Sequence, residues 1–125
     1  MLIIQPPGIR FVARSGVSDY DYTISELVAD GSWHELDLSA IIGGSAKGVS
    51  LHVDAVTTLA NKVVAFAPHG TGTDYFRWQQ RVITQGPTWT LAYPFVPVVG
   101  GPSIDYLLQT ADITTCNITI LGWWR

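Results

Sequence analysis

From Val49 to Ala55 the side chains alternate: Val49, Leu51, Val53 and Ala55 fall on one side, and Ser50, His52 and Asp54 on the other. Successive Cβ atoms of an extended chain point to opposite faces, so this period of two predicts a half-buried strand. The same reading covers 75–82, where Phe76, Trp78, Gln80 and Val82 oppose Tyr75, Arg77, Gln79 and Arg81. It also covers the closing segment Asn117–Trp124, whose apolar residues occupy both faces, the pattern of a strand closed to water on both sides. Further strands are expected at 9–14, 20–28, 33–38, 62–67, 88–92 and 104–109. Turn sequences such as Pro6-Pro7-Gly8, Asp30-Gly31, Pro68-His69-Gly70 and Gly100-Gly101-Pro102 separate them. Helical patterning is confined to single turns, one at Leu38–Ile42 with Ser39 as cap and one around Leu59–Asn61.

Eight or nine short strands in 125 residues predict one all-β domain over 1–125. Its expected form is a two-sheet antiparallel sandwich of jelly-roll type rather than a closed barrel. Residues 1–8 are expected to form an N-terminal arm or edge strand, stiffened by Pro6-Pro7. Cys116 is the lone cysteine, so no disulfide forms within the chain. No run approaches the ~18 apolar residues of a membrane span. The start, MLIIQPPGIR, lacks the basic region and apolar length of a signal peptide, which predicts synthesis without a leader.

The side chains that carry chemistry do not assemble into a motif. His34, His52 and His69 have no short metal-ligand spacing among them. Asp19 and Asp21, like Glu35 and Asp37, are two apart, the spacing of one strand face. Such pairs serve glycosidases as acid and nucleophile, or bridge a calcium ion, but alternation in a half-exposed strand produces them as well. Gly43-Gly44-Ser45-Ala46-Lys47 is neither a nucleophile elbow nor a phosphate loop. Asn117-Ile118-Thr119 matches a glycosylation sequon, yet it falls in an expected central strand. These residues predict no catalytic site, no cofactor and no metal. A net charge of −3 with seven scattered basic residues also offers nothing for nucleic acid to bind.

Surface composition is more telling. Charged residues make up 14% of the chain, against about 25% in an ordinary soluble domain. The five tryptophans then suggest that a partner covers part of the surface. Trp123 and Trp124 are adjacent on a strand and so point to opposite faces, one inward and one outward. The interface candidates are Trp123, Trp124, Trp33, Tyr20 and Tyr22. Coverage by protein favours a homo-oligomer, a trimer above all, and an exposed indole also suits a glycan.

Two segments carry a likeness. Trp33-His34-Glu35-Leu36-Asp37-Leu38-Ser39, followed by Ala46-Lys47-Gly48-Val49-Ser50-Leu51-His52-Val53, resembles a W-x-x-L-D-L-S … A-K-x-V-x-L-x-V pattern. The ending Ile118-Thr119-Ile120-Leu121-Gly122-Trp123-Trp124 resembles the terminal strand found with it. Together they are similar to small β-sandwich domains of tailed-bacteriophage particles, which occur in tail-fibre, head-fibre and capsid-decoration proteins. The resemblance spans about a third of the chain and its motifs are structural. It implies a non-enzymatic virion component, most of all a capsid decoration or cement protein, that packs against itself and against the major capsid or other virion proteins. The alternative it leaves is a carbohydrate-binding module that meets a host glycan through exposed tryptophan.

Overall fold

The computed structural model describes residues 10–17, 19–71, 77–82 and 90–125. The expectations for residues 1–8, for Tyr75 and Phe76, and for Trp89 lie outside the described residues. In chain order the strands are β1 (Phe11–Ala13), β2 (Trp33–Asp37), β3 (Gly48–Thr57), β4 (Lys62–Pro68), β5 (Trp78–Val82), β6 (Thr90–Ala92), β7 (Phe95–Pro97), β8 (Ser103–Leu108) and β9 (Ile113–Trp124). One helical turn, α1 (Ser39–Ile42), precedes β3.

All pairings are antiparallel and they follow a single rule. β1 pairs with β9, β2 with β8, β3 with β6 and β7, and β4 with β5. The chain is thus one long hairpin, with its outgoing arm laid against its returning arm. That hairpin is wrapped so that β9 also joins β3 and β8 also joins β4. The result is two sheets, ordered β1-β9-β3-β6 (with β7 also on β3) and β2-β8-β4-β5. This is the antiparallel jelly roll expected from the sequence.

The inward faces close on each other. Val49, Leu51, Val53 and Ala55 of β3 and Ile118 and Ile120 of β9 meet Val64 and Phe66 of β4 and Ile104, Tyr106 and Leu108 of β8 in one buried cluster. Alternation supplied these residues, and stacking two such faces buries both. Cys116 lies in the same layer, and burial, with a smaller contribution from Asp54, pushes its thiol up to about 12. The thiolate is the reactive form. We therefore expect Cys116 to resist thiol reagents in the native protein and to label only at the rate of unfolding. Rapid modification of the folded chain would contradict that burial.

Several expectations are corrected. The segment 20–28 is not a strand: Tyr22 forms a single bridge to Ile118, and Ile24–Glu26 is a 3₁₀ turn. The sequence Thr23-Ile24-Ser25-Glu26 is that of a capped turn, with Glu26 Oε1 accepting the Thr23 amide at 3.3 Å. Ser39 is not the cap of α1 but its first residue; Asp37 Oδ1 accepts the Ser39 amide at 2.9 Å. Leu59–Asn61 is the β3–β4 turn rather than a helical one, with Asn61 left-handed at φ 65°. Strand β7 was not expected, because Pro94 and Pro97 flank its centre. It is an edge strand, where proline is tolerated because one row of amides faces away from the ladder. β6 and β7 act as one edge broken at Tyr93-Pro94, bridged by the Leu51 amide donating to Pro94 O at 2.9 Å.

Candidate interaction face

The outward face of the β1-β9-β3-β6/β7 sheet is built from residues that alternate with core residues. Register places Phe11, Trp124, Gly48 and Pro97 in one row and Ala13, Gly122, Ser50 and Phe95 in the next. Two glycines decide the relief of this surface. A Cβ on Gly48 would fall 2.5 Å from Phe95 Cζ, and one on Gly122 would meet the Phe11 ring and lie 2.5 Å from Val12 O. Each ring is therefore folded flat over a glycine, and the Phe11 ring leans on Trp124 with centroids 4.9 Å apart. Farther along, Tyr93 stands edge-on to His52 at 5.0 Å. Leu91 lies opposite Asp54.

The large exposed side chains of this face are apolar, and they lie beside a polar strip of Ser50, His52, Asp54, Asn117 and Thr119. Trp124 is 38% exposed, Phe95 50%, Leu91 55% and Tyr93 66%, and Phe11, Leu121 and Tyr20 are exposed beside them. Single exposed apolar residues are ordinary on a protein surface, but a contiguous set marks a contact surface. The outward face of the other sheet shows the contrast. There Glu35, Asp37, Gln79, Arg81 and Gln109 are the exposed residues, over a shallow depression lined by Val63, Arg77 and Leu107 among others. One sheet thus presents solvent with charge and amide, the other with aromatic rings.

The five interface candidates are divided between these surfaces. Trp124 and Tyr20 lie exposed on the aromatic face. Trp123 turns the other way and packs against the core. Tyr22 also packs on the core, its hydroxyl donating to Asp37 O at 2.9 Å, and burial raises its phenol pKa above the usual value. Trp33 is half-buried on the charged sheet, opposite Leu107. Phe11, Leu91, Tyr93 and Phe95 were not singled out in the sequence. Residues 91–98 are apolar throughout, so their out-in alternation is visible only in the structure, and the prolines in the run argue against a strand.

The carboxylate pairs do not converge. Asp21 Oδ2 is held by Arg14 and by the Ile120 amide at 2.7 Å, while Asp19 Oδ1 accepts the amide of Tyr20 at 2.8 Å. Asp37 Oδ1 accepts the Ser39 amide at the start of α1, and Glu35 sits 3.9 Å from His69 Nε2. His34 pairs with Asp30 at 2.8 Å. Among the described residues no group of three His, Cys, Asp or Glu side chains could hold a metal ion. His69 Nδ1 meets Asp105 Oδ1 at 2.7 Å, and Asp105 Oδ2 accepts the Gly70 amide at 2.9 Å. This clamps the β4–β5 connection to β8.

The hydrogen bond to Asp105 raises the His69 pKa above 6.5. A raised native pKa means the clamp's contribution is complete below the unfolded value and is lost as pH rises through the native one. Nuclear magnetic resonance (NMR) titration should therefore place His69 above 6.5, and Asp105→Asn should return it toward that value. An unshifted His69, or one indifferent to the substitution, would contradict the clamp.

No protein-family model matches the chain, and no curated protein matches it in sequence. Among the described residues no helix is long and apolar enough to cross a membrane.

Proposed function

We propose that this chain is a non-enzymatic structural protein of a virus particle, a capsid decoration or similar accessory subunit. It works by laying the aromatic face of its β1-β9-β3-β6/β7 sheet against itself and neighbouring subunits. The observation that carries the reading is the contrast between the two outward faces, rings and leucines on one and charge on the other. A subunit that must be covered by many neighbours gains from such a face, because burying apolar area is the main source of association energy. The likeness of its tryptophan anchor and closing strand to phage β-sandwich domains supplies the particle context. The jelly roll is a fold used by viral capsid domains, an analogy at the level of architecture alone.

Self-association is the immediate consequence. Size exclusion coupled to light scattering should give the mass of an oligomer, a trimer by preference, at tens of micromolar. A monomer under those conditions would contradict self-packing and leave docking on a different subunit as the face's use.

A further inference from the structure

The outward face of the β2-β8-β4-β5 sheet holds a trough whose shape follows from its residues. On β4, Val64 and Phe66 face the core, so Val63 and Ala65 face outward, and both are short. Beside them β5 carries two long side chains, Arg81 opposite Val63 and Gln79 opposite Ala65. Leu107 of β8 lies on the other side of Ala65. Short side chains between longer ones leave a depression of about 230 Å³, lined by Val63, Arg77, Gln79, Arg81, Leu107 and Gln109. Two of its polar groups are held in place. Gln109 Oε1 accepts the Val63 amide at 2.7 Å, so what Gln109 offers a ligand is its Nε2 donor. Arg81 Nη1 donates to Asn61 O at 3.3 Å, which orients a guanidinium with further N–H groups to give. Among the described residues no carboxylate lines the trough.

We propose that this trough binds an acidic sugar, a ring of the uronic-acid type, with its carboxylate on Arg81. The site lies on the sheet opposite the aromatic face and stands independently of the docking reading. A subunit docked through that face turns the trough outward. The lining selects the class of ligand. Guanidinium and amide N–H groups around one space call for a molecule rich in acceptors, and the guanidinium fork matches a carboxylate in charge and geometry. Val63 and Leu107 add apolar surface, which suits the C–H face of a ring and gives nothing to a bare inorganic ion. The Gln79 amide is both donor and acceptor, as sugar hydroxyls are. An acidic peptide side chain would bring the carboxylate without those hydroxyls. The volume is below the ~300–1,000 Å³ of a drug-sized pocket, which limits the occupant to about one ring.

The probe is methyl glucuronide, titrated into the full chain while the Gln79 and Gln109 side-chain amide resonances are followed by NMR. Methyl glucoside, the same ring without the charge, is the control. The glucuronide should shift both resonances saturably, and the glucoside should bind about tenfold more weakly or worse, the loss of a charge-assisted hydrogen bond. Arg81→Gln should cause a similar loss. Arg81 is exposed, so the variant should keep its fold, which a thermal melt checks. Gln79→Ala, also at an exposed position, should cause a smaller loss, and binding should weaken as salt rises. Nα-acetyl-glutamate amide and inorganic phosphate test other sources of the anion; either one binding as tightly as the glucuronide would overturn the sugar as occupant. Equal shifts with the glucoside, or indifference to Arg81→Gln, would overturn the site itself. A chain carrying Leu91→Lys and Phe95→Lys, altered on the opposite sheet, should bind the glucuronide as the parent does. Loss of binding there would overturn this inference, whereas an unchanged oligomeric mass would count against the docking reading alone.

Discussion

A chain lacking residues 117–125 does not fold. Strand β9 is the one on which the first sheet is assembled, since it pairs with both β1 and β3 and takes the bridge from Tyr22. The deletion removes Ile118 and Ile120, both fully buried, together with Trp123, which packs on the core. Each such side chain contributes about 1.5–3 kcal/mol by burial, and the sum is comparable with the ~5–15 kcal/mol stability of a whole domain. It also leaves the inner edges of β1 and β3 without their ladder. Circular dichroism and amide NMR should show a chain without cooperative unfolding. A milder form of the same test is Ile118→Ala, which should cost about 2–5 kcal/mol in denaturant unfolding, the range of large-to-small changes in a closed core. A truncated chain that still melts cooperatively would contradict the central place given to β9.

Much of the fold was readable because alternation is a strong signal wherever one face is buried. Val49–Ala55 and Asn117–Leu121 announced their inward residues, and stacking those faces leads to two sheets. The failures have local causes. At 20–28 apolar residues suggested a strand, but Thr23 and Glu26 form a turn whose hydrogen bonds compete with the ladder. At 94–97 prolines hid an edge strand. The interaction face was half visible. Trp124 and Tyr20 stood out by type, whereas Phe95 and Phe11 matter through the glycines beneath them, and that pairing depends on the register of β3, β7, β1 and β9. Asp54 could not be read as buried at all. Its alternation is that of a solvent-facing residue, and what covers it is the Tyr20 segment arriving from elsewhere in the chain.

The second large effect concerns that face. Replacing Leu91 and Phe95 together with lysine should abolish association while leaving the fold intact. Both side chains project from the edge strand, 55% and 50% exposed, and lysine on an edge strand is a device proteins use to keep sheets apart. Exposed substitutions usually change stability by less than about 0.5 kcal/mol, with something more here because Phe95 shields Gly48. Aromatic and aliphatic anchors in the centre of an interface, by contrast, are worth about 2 kcal/mol or more apiece. Losing two, and adding two charges that must be desolvated, should weaken association by about a thousandfold. Thermal unfolding of the doubly substituted chain should therefore stay within a few degrees of the parent.

The decisive measurement is light scattering across a concentration series of parent and Leu91→Lys/Phe95→Lys chains, with thermal melts of both. If the aromatic face of the β1-β9-β3-β6/β7 sheet is the docking surface, the parent runs as an oligomer and the variant as a folded monomer. A variant that folds and keeps the parent's oligomeric mass would contradict it.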